Sequence, residues 1–175
     1  MSENFGETHI TVDPDVPVIH TVRRFEAPAA KVFRAHVEPD LVQRWLGPTR
    51  HTMRIEQYDC RTGGAYRYEL VSSDRSHRYF GSFHKVQENR LIVQTFTFEG
   101  MADLVALERF AFIDSDDGTS TLRASSLMES FAARDTFLAG GMDGVAEIHD
   151  QLARLLAAAP VGPDDDRSTL SEEQR

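Results

Sequence analysis

The clearest regularity along the chain is the two-residue alternation of AYRYELV (65–71), where Arg67 and Glu69 separate Tyr66, Tyr68 and Leu70. Successive side chains of a strand point to opposite faces, so this segment reads as a strand with one covered face and one wet face. Similar runs are PVIHTVRRF (17–25), HTMRIEQYD (51–59), RYFGSFHKV (78–86), RLIVQTFTF (90–98), LERFAFI (107–113) and TSTLRASSLM (119–128). Turn-forming residues separate them: Arg61-Thr62-Gly63-Gly64, the stretch from Ser72 to His77, Glu88-Asn89, a loop around Gly100, and Asp116-Asp117-Gly118. Short strands at this spacing, with no helix between them, predict an antiparallel meander.

The period changes twice. After the first strand, Pro28 suits a first helical turn, and Val32, Phe33, His36 and Val37 recur at helical spacing. Glu38-Pro39 interrupts that helix, because a residue before proline avoids the α region. Pro39 and Asp40 start a second short helix that Gly47-Pro48 stops, which places Trp45 in its last turn. Near the end, Leu138, Met142, Val145, Ile148, Leu152 and Leu155 recur at three and four, the mark of one amphipathic helix. Gly140, Gly141 and Gly144 interrupt its first half at a cost of about 1 kcal/mol each relative to alanine. Close approach of this helix to the sheet, or a kink, is the expected compensation. One long helix on a curved antiparallel sheet, with two small helices after the first strand, is an α+β helix-grip arrangement. It leaves space for a cavity between helix and sheet.

Charge adds little to this picture once it is located. The net charge of −9 includes −4 from residues 1–16 and −3 from residues 160–175, which leaves −2 on the body. Neither a basic nucleic-acid footprint nor a strongly acidic working surface is indicated. The expected organisation is a flexible segment over 1–16, one domain over 17–159 and a disordered acidic tail over 160–175. Cys60 is the single cysteine, so no internal disulfide forms. The start MSENFGETHI lacks the features of a signal peptide, and no run reaches the roughly 20 apolar residues of a membrane span. The expectation is a cytoplasmic protein without membrane or nucleic-acid partners.

Catalytic signatures are missing: there is no HExxH, CxxC or GxSxG pattern. Seven dispersed histidines and one cysteine predict no metal, and no cofactor is expected. His149 borders the apolar face of the last helix and reads as a hydrogen-bonded histidine at the core edge. Gly63 and Gly64 lack a following Lys-Ser/Thr, so a turn or bulge is expected there instead of a phosphate loop. Glu69, Glu99, Glu108 and Glu129 qualify as acid/base groups only if one points into the cavity with a raised pKa. The aromatic residues are the more suggestive set, because large rings facing one helix either fill a core or line a pocket. The candidate cavity residues are Trp45, Tyr66, Tyr68, Phe83, Phe96, Phe98, Phe110, Met142 and Val145.

Five segments, in this order, resemble the START-like superfamily, in the branch named for homologues of the heat-shock-protein-90 ATPase activator. They are FEAPAAKVFRAHVEPDLVQRWLGP (25–48), CRTGGAYRYEL (60–70), GSFHKVQENRLIVQTF (81–96), GTSTLRASSLMES (118–130) and GMDGVAEIHDQLARLL (141–156). The sequence departs from the pattern at Val145, where many members carry tryptophan, which implies a roomier cavity. The resemblance implies the helix-grip fold and leaves three kinds of function open. The leading one is non-enzymatic binding of a small, largely apolar molecule. The others are a co-chaperone-like modulator of a partner ATPase and an enzyme of the polyketide cyclase or dehydratase kind. A homodimer is also open. The enzyme would require two or three polar groups converging in the cavity.

Overall fold

The computed structural model describes residues 6–141 and 143–158. Eight strands form one antiparallel sheet: β1 (Thr8–Val12), β2 (Val18–Phe25), β3 (Thr52–Tyr58), β4 (Ala65–Val71), β5 (Ser76–Gln87), β6 (Leu91–Phe98), β7 (Val105–Asp114) and β8 (Ser120–Leu127). Their spatial order is β1-β2-β8-β7-β6-β5-β4-β3, so β3 to β8 are the expected meander and β2 closes onto β8. Tight turns hold the register. Asn89, at φ 58°, occupies the left-handed region between β5 and β6, where asparagine is among the residues best tolerated.

Helices α1 (Ala29–Val37) and α2 (Pro39–Val42) follow β2, and α3 (Phe131–Gly141) and α4 (Asp143–Ala157) end the described chain. This is the α+β helix-grip fold. The inner sheet face and the helices enclose two apolar clusters. The larger gathers Phe25, Val32, Phe33, Trp45, Phe83 and Leu152 among others. The smaller holds Ile19, Ala106, Met128 and Ala133, with Phe96, Phe137 and Leu138 packed against it. No helix among the described residues is long and apolar enough to cross a membrane.

Three expectations are corrected. Residues 8–12 do not belong to a flexible segment: they pair with β2 from Thr8↔Arg23 to Val12↔Ile19. The acid-rich composition around THITV obscured a five-residue strand whose edge satisfies the backbone of β2. The apolar repeat expected as one helix falls on α3 and α4, with position 142 outside the described residues. Gly140 and Gly144 do not serve close approach, since a Cβ at either would meet nothing within 4 Å. Finally, α2 stops at Val42, and Trp45 lies in the following turn, its N–H bonded to the Val42 carbonyl at 3.2 Å. The tail over 160–175 lies outside the described residues.

Strand β1 also ties the sheet to α4. The Thr8 hydroxyl accepts from Arg23 Nη1 at 3.0 Å and lies 3.2 Å from His149 Nδ1. Arg23 in turn donates to Asp150 at 2.8 Å. Deleting residues 1–12 is therefore expected to lower the thermal midpoint by about 5 °C or more, equivalent to roughly 2 kcal/mol at this chain length. Circular dichroism melts check this. An unchanged midpoint would show that β1 adds nothing.

Candidate functional site

A cavity of about 820 Å³ lies between the inner sheet face and the helices. Its polar part is built by register. Gln94 of β6 sits opposite Glu108 of β7, and Glu108 sits opposite Ser126 of β8. Phe112 is buried and Leu107 is 43% exposed, so the two-residue period turns Glu108 inward with Phe110 and Phe112. Gln94 Nε2 donates to Glu108 Oε2 at 2.9 Å, and Ser126 Oγ donates to Oε1 at 3.4 Å. Burial outweighs both bonds and raises the Glu108 carboxyl to about 7. The Glu108 side chain is half-buried and lines the cavity.

The adjoining wall is aromatic. Tyr68 pairs with Tyr79, and Tyr79 pairs with Phe98, across β4, β5 and β6. Ring centroids are 5.9 Å apart for Tyr66 and Tyr68, 5.2 Å for Tyr68 and Tyr79, and 5.4 Å for Tyr79 and Phe96. Gly81 makes room for this wall: a Cβ there would lie 2.7 Å from the Tyr66 hydroxyl and 2.0 Å from the Thr95 carbonyl. The Tyr66 ring crosses that gap, and its hydroxyl donates to Thr95 O at 2.8 Å. Burial, then Glu108, raises the Tyr66 phenol; burial, then Tyr79 and Glu108, raises that of Tyr68. Both stay protonated. Among the described residues, the Tyr68 and Tyr79 hydroxyls have no hydrogen-bond partner, and both residues line the cavity.

Trp45 closes the opposite side. It is 5% exposed, its Nε1 donates to Ala35 O at 2.9 Å, and its ring lies 4.7 Å from that of His36. The turn that carries it is fastened to α4: Gln151 Nε2 donates to Gly47 O at 2.7 Å, and the Thr49 amide and hydroxyl both donate to Glu147 Oε1. Gly47 has φ +131°, a conformation that strongly favours glycine. Exposed Arg50, Asp74 and Arg75 mark the mouth. His36 and His149 line the interior but are held neutral. Burial brings them down to about 4 and about 3, with His36 and Arg23 adding to the effect on His149.

Of the residues singled out in the sequence, Trp45, Tyr66, Tyr68, Phe96, Phe98, Phe110 and Val145 line the cavity. Phe83 does not. It is 1% exposed and packs at 5.6 Å from Tyr58 and 5.3 Å from Tyr66, so it belongs to the core beneath the wall. Met142 lies outside the described residues. Trp45 is both core and wall. Of the four glutamates, Glu108 alone lines the cavity. Gln94, Ser126 and Tyr79 were not anticipated as site residues, although Tyr79 follows from the phase set by the alternating aromatics. His149 is buried and hydrogen-bonded at the core edge, as expected. Among the described residues, no group of three or more His, Cys, Asp and Glu side chains could hold a metal ion.

The model of the Activator of Hsp90 ATPase homolog 1-like protein family matches residues 26–157. The chain belongs to that family. No protein of curated function matches the sequence. The fold of this family member is also that of several solved bacterial structures. Ms6760 from Mycobacterium smegmatis is 21% identical, with 88% of this chain and 99% of that one covered and a TM-score of 0.79. A protein from Arthrobacter aurescens is 18% identical over 93% and 98% of the two chains, also with a TM-score of 0.79. CV1439 from Chromobacterium violaceum is 24% identical over 79% and 96%, with a TM-score of 0.67. At these identities the likeness establishes the fold alone.

The raised carboxyl of Glu108 makes a prediction about stability. The folded state keeps a proton that the unfolded chain has lost, so stability falls as pH rises from about 4.5 through about 7. The buried histidines act in the other direction, with stability lost as pH falls below about 6.5. Comparing Glu108→Gln with the parent cancels the histidine contribution. The variant is expected to be more stable at pH 8 by on the order of 2–3 kcal/mol, and the difference is expected to shrink towards pH 5. Urea melts at the two pH values measure it; a difference independent of pH would contradict the assignment.

Proposed function

We propose that this family member binds a small, largely apolar molecule in the cavity between the sheet and the C-terminal helices. The observation that carries this reading is the cavity itself. Its volume of about 820 Å³ falls in the range of small-molecule sites, roughly 300–1,000 Å³. Its wall joins aromatic rings to a few polar groups that can fix a ligand's orientation. Apolar side chains provide affinity through surface removed from water, and the Gln94–Glu108–Ser126 row provides direction.

A second reading is supported by Glu108. A carboxyl that titrates near neutrality, beside protonated phenols, is suited to moving a proton on a bound substrate. Such an enzyme would use the same cavity. It would differ from a binder by turning over the compound that the cavity retains.

Native mass spectrometry of protein purified from its own host is expected to reveal a retained small molecule. Gly144→Leu supplies the structural control, because a side chain at Gly144 enters open space on the cavity lining. The variant is expected to weaken binding of an apolar probe such as naphthylmethanol by about tenfold or more. Its thermal midpoint should be unchanged or higher, since leucine is favoured over glycine in a helix by roughly 0.8 kcal/mol. Equal probe binding by parent and variant, with no retained molecule, would sink the reading.

A further inference from the structure

The hydrogen bonds around Glu108 have a direction. Tyr66 commits its hydroxyl hydrogen to Thr95 O at 2.8 Å, so the phenol oxygen is left as an acceptor. Gln94 Nε2 lies 3.4 Å from that oxygen and 2.9 Å from Glu108 Oε2. An amide whose two near neighbours are both acceptors must present its NH2 group to them, which fixes the orientation of Gln94. Glu108 Oε2 therefore faces a donor that cannot reverse without giving up the bond to Tyr66. Ser126 Oγ donates to Oε1. Both oxygens accept, which is the pattern of an ionised carboxylate, and each keeps capacity for another hydrogen bond.

Every charge-stabilising group around this carboxylate is neutral. No cation among the described residues acts on it; its stabilising partners are Gln94 and Ser126. The interior histidines His36 and His149 are uncharged near neutrality. The nearby Tyr68 and Tyr79 oxygens line the same space without protein donors. The cavity interior thus offers a carboxylate without a counter-ion beside two phenol hydroxyls that can accept or donate, next to an aromatic wall, with Arg50 and Arg75 at the mouth. A buried carboxylate in that state is costly until a cation reaches it.

Resting on the binding reading above, we propose that the ligand is a protonated primary or secondary amine carried on an apolar body. Its ammonium would pair with Glu108 and donate its remaining hydrogens to the Tyr68 or Tyr79 oxygens. The apolar body lies against Phe96, Phe98, Phe110 and Trp45. A neutral ligand that accepts a hydrogen bond could be served by the Tyr68 or Tyr79 hydroxyl hydrogens, but it would leave the Glu108 carboxylate without a counter-ion. An anionic ligand would face the carboxylate directly.

Around Glu108, the ionisable groups are Tyr58 from β3, Tyr66 and Tyr68 from β4, Tyr79 from β5, His36 from α1 and His149 from α4. The four phenols are raised, His36 and His149 lowered and Glu108 raised to about 7; His51 and His77 also line the cavity, with the His77 ring 5.5 Å from that of Phe98. An arriving ammonium favours the carboxylate and releases its proton.

Three isosteric probes test the proposal by calorimetry on the full chain: naphthylmethylamine, naphthylmethanol and naphthoate. At pH 8 the amine is expected to bind about tenfold or more tightly than the alcohol, the advantage of a charge-assisted bond, with naphthoate weakest. In Glu108→Gln that preference should disappear while the alcohol still binds, which also shows that the variant is folded. At pH 7, heats in two buffers of different ionisation enthalpy should report release of part of a proton with the amine. Equal or tighter binding of the alcohol, a preference that survives in Glu108→Gln, or proton uptake would overturn the amine assignment and leave the cavity reading standing. Binding of none of the three probes would overturn both.

Discussion

A single layer of helix, about 10 Å across, cannot cover the inner face of an eight-stranded sheet whose strands lie about 4.8 Å apart. The chain answers this mismatch by curling the sheet and filling the two ends separately. Phe25, Phe33, Phe83 and Leu152 pack one end; Ile19, Ala106 and Met128 pack the other, against Ala133 of α3. Between the two clusters the inner face has no packing partner, and the cavity is that remainder. The site is a consequence of how much sheet there is to cover.

That gap changes which residues an inward-facing position tolerates. In a close-packed interior an unpaired carboxylate would be expelled or neutralised. Here Glu108 opens onto space, and its neighbours on β6 and β8 supply two neutral donors. The bond from Tyr66 to Thr95 organises this row at one remove, by leaving Gln94 one direction in which to point. Gly81 is the enabling position, because any side chain there would displace the Tyr66 ring. A residue without a side chain thus sets the polarity of a hydrogen-bond chain that ends at an acid on another strand.

Much of this was readable in the sequence where a period persists. The alternation at Tyr66, Tyr68 and Leu70 gave both the strand and its buried face, and Phe110 and Phe112 set the phase that turns Glu108 inward. The phase alone separates Glu108 from Glu69, which alternates outward. It does not distinguish cavity from core, however. Phe83 and Tyr66 share the inner face, and only what lies above each ring makes one of them core beneath the wall and the other part of the wall. Strand β1 was too short, and its neighbourhood too acidic, for alternation to outweigh composition.

Two glycines on the helical side of the cavity, Gly140 and Gly144, stand over empty space. In a filled interior a change of volume at one position is transmitted to its neighbours as strain or as a void. Here capacity and architecture are governed by different parts of the chain: the sheet fixes the shape and the acid, while one face of the helices decides how much room is left. The fold therefore behaves as a container of adjustable size. One or two codons on that face suffice to rescale what it holds without disturbing how it is held.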